Sequence, residues 1–210
     1  MIIQWCVKGL ALPDDDTAQQ ILDRRAGIVC NWWMNSPNGA ITLQERREKL
    51  TLRNLDFHVN HYTGIDPITN EPFCLRTPFI SLSAGTIERD TAAKANFLHR
   101  ARYTALWFAT EFGRRDTAYL FTCWVLLGPR PSVEIEGVAE EIRDLNSYRS
   151  YSAFQTEGEV AAKVNIPDNQ IQGYEVWRWD KRGLRFTRGP IIGNPRFTPP
   201  EQLTNVRELI

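Results

Sequence analysis

Apolar residues in this chain fall into two kinds of pattern. Compact runs at residues 2–7, 79–83 and 118–127 are almost uninterrupted and rich in Ile, Val, Phe, Leu and Trp, as expected of buried strands. Shorter β-prone stretches fall at 158–164, 173–179 and 184–187. Two segments show helical spacing instead: 17–25, preceded by Pro13-Asp14-Asp15-Asp16 and stopped by Gly27, and 92–112 with its Ala, Leu, Trp and Phe. The acidic start of the first suits the positive end of a helix dipole. Thr42-Leu43-Gln44-Glu45 is a capping-box pattern and predicts a charged helix through Lys49. Residues 137–145 read as helix, 31–40 and 146–156 as loops, and 199 onward as a short helical tail. Residues 54–78 hold Pro67, Pro72 and Pro78 and few periodic apolar positions; they predict a long irregular segment, which in a compact domain is often functional. A helical first third leading mostly into strands predicts an α+β fold around one or two small sheets.

Composition narrows this only slightly. The 210 residues show no compositional shift, so one domain over 1–210 is expected. The 25 basic and 25 acidic residues cancel, which argues against broad nonspecific nucleic-acid binding but not against a local basic groove. The four cysteines are widely separated and only three histidines exist, so zinc-ligand spacing is absent and no metal is expected. Cys6 and Cys123 lie in apolar runs and read as buried thiols. No apolar run approaches the roughly 18 residues that span a bilayer, and no signal-peptide pattern opens the chain. A cytoplasmic origin is therefore expected, with delivery into a target cell by other machinery left open.

The candidate chemistry lies in Glu157-Gly158-Glu159. On a strand, residues two apart share a face, so the two carboxylates would point together. Like charges held close disfavour full ionisation, a poor arrangement for stability and a useful one for acid–base work. The spacing alone is equally that of a solvated strand. The residues beyond it are more specific: Glu159-Val160-Ala161-Ala162, then Asn165-Ile166-Pro167-Asp168-Asn169-Gln170-Ile171, then Gly173-Tyr174-Glu175-Val176-Trp177. This string resembles the C-terminal signature of mono-ADP-ribosyltransferases of the cholera-toxin and heat-labile-enterotoxin type. Phe79-Ile80-Ser81-Leu82-Ser83 resembles the Ser-Thr-Ser strand of that family, with Leu82 in the threonine place. The resemblance is dense over 79–83 and 157–177, thinner over the first third, and does not extend to 178–210.

The resemblance implies an ADP-ribosyltransferase-like fold, with small antiparallel sheets around an NAD cleft and flanking helices. It implies Glu159 as the catalytic glutamate, Ser81 as the residue that orients it, Ser83 in the pocket wall and Glu157 facing the acceptor. The family's arginine at the end of the first strand is missing; Lys8 stands there, a point charge without a bidentate fork. Arg24 and Arg25 are its rivals. His58 and His61 are cofactor-binding candidates, since the enterotoxin group carries a histidine in a loop upstream of its Ser-rich strand. A second branch uses a His-Tyr-Glu set, which His61-Tyr62-Thr63-Gly64 resembles, but 79–81 lacks its tyrosine. Tyr148, Tyr151 and Phe154 fall in the acceptor-recognition loop, Tyr151 and Phe154 being the candidates to stack on a guanidinium or base. A glutamate at position 157 goes with arginine acceptors. The implied activity is NAD-dependent transfer of ADP-ribose to a macromolecule, protein favoured over nucleic acid, by a toxin or effector that could have an antitoxin or an activating partner. An NAD glycohydrolase and a catalytically degenerate binding module fit the same fold.

Overall fold

The computed structural model describes residues 2–36, 42–84, 94–127, 138–141 and 159–202. In chain order, β1 (Ile2–Leu10), α1 (Asp15–Asp23), β2 (Ile28–Val29), α2 (Asn31–Met34), α3 (Leu43–Lys49) and α4 (Leu52–Asn60) come first. Next are β3 (Ile65–Asp66), β4 (Glu71–Pro72), β5 (Phe79–Ser83), α5 (Lys94–Ala109), β6 (Thr117–Leu127), β7 (Val138–Glu141) and β8 (Glu159–Lys163). β9 (Asn165–Ile166), β10 (Ile171–Asp180) and β11 (Arg185–Gly193) complete the set.

The main sheet has the order β1-β5-β8-β7-β6-β10-β11, and β1 also pairs with β6. β1, β5, β8, β7 and β6 thus close on themselves, and β10–β11 extend from β6 as a flap. Pairings are antiparallel except β6 with β7. The fold is α+β as expected, but one large sheet with two small accessory ones, β2–β9 and β3–β4, replaces the one or two small sheets foreseen.

Strand alternation divides the core. Cys6, Leu82, Tyr119, Phe121, Cys123, Val160 and Tyr174 pack with α1 on one face. Val7, Ala118 and Leu120 pack under α5 on the other. Side chains as fully buried as Phe121, Leu82 and Val160 each contribute roughly 1.5–3 kcal/mol. Gly9 lets α5 lie against β1, because a Cβ there would collide with the Ala105 carbonyl.

Three expectations are corrected. Residues 138–141 form β7, not helix: the Val-Ala-Glu-Glu run is helix-compatible locally, but pairing with both β6 and β8 overrides propensity. Residues 31–34 form α2 within the expected loop. The segment 54–78 opens with α4, capped by the Thr51 hydroxyl on the Asn54 N–H, and buries Leu55, His58 and Val59 at helical spacing. The interspersed Arg53, Asn54 and Asn60 hide that period from a sequence reading. The predicted helix at 42–49 is α3, with its capping box complete. The expected loop at 146–156 lies outside the described residues.

Candidate active site

β5 occupies the place between β1 and β8, so three candidates distant in sequence become neighbours. Ser83 pairs directly with Glu159 across the antiparallel β5–β8 ladder, and Ser81 with Ala161. Directly opposed residues project to the same side, so Ser81, Ser83 and Glu159 share one face. On the other flank Val7, next to Lys8, pairs with Ser83. Val160 and Ala162 alternate into the opposite, fully buried core, which fixes the register of β8 and hence the side to which Glu159 points.

β8 ends at a sharp corner. Val164 adopts φ 64°, a left-handed conformation that is strained for a β-branched residue, by roughly 1–3 kcal/mol. The corner is held by the Val164 N–H donating to the Pro78 carbonyl and the Cys30 N–H donating to the Val164 carbonyl, both at 2.8 Å. It directs the chain into β9, which pairs with β2. The Gly27 turn before β2 has φ +62° and no room for a Cβ against the Ile166 carbonyl.

β2, α2, the end of α1, α4, β1 and β5 surround a cavity of about 320 Å³. Its polar lining comes from Lys8, Arg24, Asn31, His58, Tyr62 and Ser81, and its apolar lining includes Ile28, Val29 and Phe79. The volume is at the low end for a ligand site, and the mix of apolar walls with a few convergent polar groups is typical of one.

His58 is only 4% exposed. Its Nδ1 lies 2.7 Å from the Thr77 hydroxyl and its Nε2 2.9 Å from the Ser81 hydroxyl. Thr77 Oγ1 also accepts the Phe79 N–H at 3.2 Å. Burial first, and then repulsion from Lys8, lower the His58 pKa to about 3, so the ring is neutral near pH 7. The Lys8 pKa is lowered by burial, with the Glu159 carboxylate acting in the opposite sense. Lys8 and Glu159 are thus electrostatic partners across the β5 strand.

The remaining sequence candidates are dispersed. His61 is the exposed C-cap of α4, its ring 5.3 Å from that of Phe57, and it does not line the cavity. Arg24 and Arg25 are both exposed, but only Arg24 caps α1 beyond its last turn, donates to the Gly27 carbonyl at 2.5 Å and lines the cavity. Burial lowers the Arg24 pKa. Glu157, Tyr148, Tyr151 and Phe154 lie outside the described residues. Thr77, Asn31 and Tyr62 escaped the sequence reading. Asn31 Nδ2 donates to the Tyr62 hydroxyl at 3.2 Å and to the Cys74 carbonyl at 2.7 Å. Only the position of Thr77, just before the Ser-rich strand, could have flagged it. Among the described residues no cluster of His, Cys, Asp or Glu could hold a metal ion, and no helix is long and apolar enough to cross a membrane.

No protein-family profile and no curated protein matches the sequence. Solved structures do. Heat-labile enterotoxin is 16% identical, with 92% of this chain and 75% of that one covered and a TM-score of 0.46. A guanine-specific ADP-ribosyltransferase is 13% identical, covering 95% of this chain and 81% of that one, with a TM-score of 0.40. Scabin toxin from Streptomyces scabies is 12% identical, covering 94% and 80%, with a TM-score of 0.38.

Proposed function

We propose that the chain is a divergent mono-ADP-ribosyltransferase that takes NAD as substrate, with Glu159 as its catalytic carboxylate. The observation that carries this reading is that Lys8, Ser81 and Glu159 stand on three adjacent strands, Lys8 and Ser81 lining a cavity with cationic and apolar walls and the Glu159 carboxylate acting on Lys8. The sequence signature over 157–177 supports it independently.

The residues fit such a substrate. Lys8 and Arg24 supply positive charge for the diphosphate, and Ile28, Val29 and Phe79 offer apolar surface to a flat ring. When the nicotinamide–ribose bond breaks, positive charge grows on the ribose while the bonding electrons leave with nicotinamide. Glu159, in a half-buried setting, stabilises that charge. Ser81, oriented by His58 and Thr77, keeps the carboxylate aimed. Glu157 faces the acceptor, a protein arginine, whose guanidinium a carboxylate can hold and help deprotonate; Tyr151 and Phe154 contact it. Ser83 shapes the wall. The toxin or effector role, delivery into a target cell and an antitoxin or activating partner belong to the same proposal.

The test incubates labelled NAD with cell lysate and either the wild type or Glu159→Ala. Label on protein, reduced by roughly 10²–10³-fold in the variant, is the expected result. Nicotinamide release without labelled macromolecule would make the chain a glycohydrolase. No turnover at all by folded wild-type protein would leave a binding module.

A further inference from the structure

α5 and the β10–β11 flap present a group of rings to solvent. Tyr103, Phe108 and Phe112 are 51%, 45% and 57% exposed. Behind them Trp107, Trp179 and Phe186 form a continuous support, with centroids 5.3 Å apart for Trp107–Trp179 and 4.7 Å for Trp179–Phe186. Tyr103 stacks on Trp107 at 6.1 Å and 13°.

Two further features separate this patch from incidental surface apolarity. Phe112 is held outward by a left-handed backbone: Glu111, Phe112 and Gly113 have φ of 50°, 57° and 81°. Such conformations persist in non-glycine residues only where the surroundings impose them, and they concentrate at functional positions. The rim is also cationic although the whole chain is neutral. Glu175 serves two guanidiniums, Arg102 at 3.2 Å and Arg188 at 2.5 Å, leaving one charge in excess. Arg115, Lys181 and Arg185 are balanced by Glu111, Asp116 and Asp180. Arg114 and Arg182 are exposed and have no carboxylate partner among the described residues.

We infer that this surface binds single-stranded nucleic acid, bases stacking on Tyr103, Phe108 and Phe112 while Arg114, Arg182 and the Arg102–Arg188 pair meet phosphates. Exposed rings on a positive surface are the general requirement for sequence-tolerant single-strand binding. None of these residues lines the cavity.

Fluorescence anisotropy with labelled single-stranded RNA and DNA oligonucleotides of about 12 nucleotides tests it. The expected dissociation constant is ~1–100 μM at physiological salt, with a log–log salt slope of about −2 for three phosphates neutralised. Binding should quench Trp107 and Trp179 fluorescence. Phe108→Ala with Phe112→Ala should weaken it by at least ~5-fold, within the range for lost stacking, and Arg114→Glu with Arg182→Glu by at least ~10-fold with a shallower slope. Circular dichroism and thermal melts verify that these exposed substitutions leave the fold intact. Absence of binding at low salt would overturn the inference. So would ring variants that bind as the wild type does, or polyglutamate displacing the oligonucleotide at equal charge, which would mark the patch as a site for acidic protein.

Discussion

A neutral histidine buried beside a lysine makes stability depend on pH in a way that can be worked out in advance. In the unfolded chain His58 has an ordinary pKa of about 6.5; in the folded protein burial and Lys8 lower it to about 3. Between those two values the unfolded state carries a proton that the folded state refuses. Stability from this site is therefore complete above about pH 6.5 and is lost as pH falls toward the folded value, at ~1.4 kcal/mol per pH unit. Going from about pH 6.5 to about pH 4.5 should cost about 2 kcal/mol through His58 alone. The perturbation is His58→Gln, whose amide cannot titrate but can still donate toward Ser81. Urea unfolding monitored by tryptophan fluorescence, for both proteins at a series of pH values, separates this contribution from that of carboxylates, which the two share. The stability advantage of the wild type over the variant should shrink by about 2 kcal/mol across that interval. Parallel curves would refute the reasoning, because they require that folded His58 either accepts the proton freely or reaches solvent.

Neighbouring residues give further expected outcomes. Lys8→Met should weaken NAD binding, measured by calorimetry, and raise the His58 pKa, measured by NMR titration, since Lys8 is the second cause of its depression; unchanged affinity would remove Lys8 from the site. Gly9→Ala should destabilise by about 1–3 kcal/mol in denaturant titration, because the new Cβ meets the Ala105 carbonyl and α5 must shift. Glu175→Ala should cost about 3–5 kcal/mol by leaving the Arg102 and Arg188 guanidiniums and the Trp177 indole N–H without their shared acceptor. Arg102→Met should cost clearly less, because Arg188 still neutralises the carboxylate.

The sequence determined the elements with strong local signals. The uninterrupted run at 118–127 became β6, the capping box at 42–45 became the start of α3, and the Ser-rich strand and the Glu159 strand appeared as β5 and β8. In each case the residues carry the information themselves, through period, capping side chains or unbroken apolarity. Glu159, Ser81 and Lys8 are singled out by the resemblance of the motifs around them to a known family, not by spacing. Tertiary structure decided the features that depend on partners. β7 exists because two strands hold it, and α4 shows its period only once Leu55, His58 and Val59 have a core to face. It also separated the two histidines: His58 is buried between Thr77 and Ser81, while His61, three residues on, caps the helix in solvent. It moved Arg24 off the helix and into the cavity wall, and put Glu159 opposite Ser83. Strand register and helix termini are set by long-range burial and pairing energies, which no stretch of the chain contains by itself.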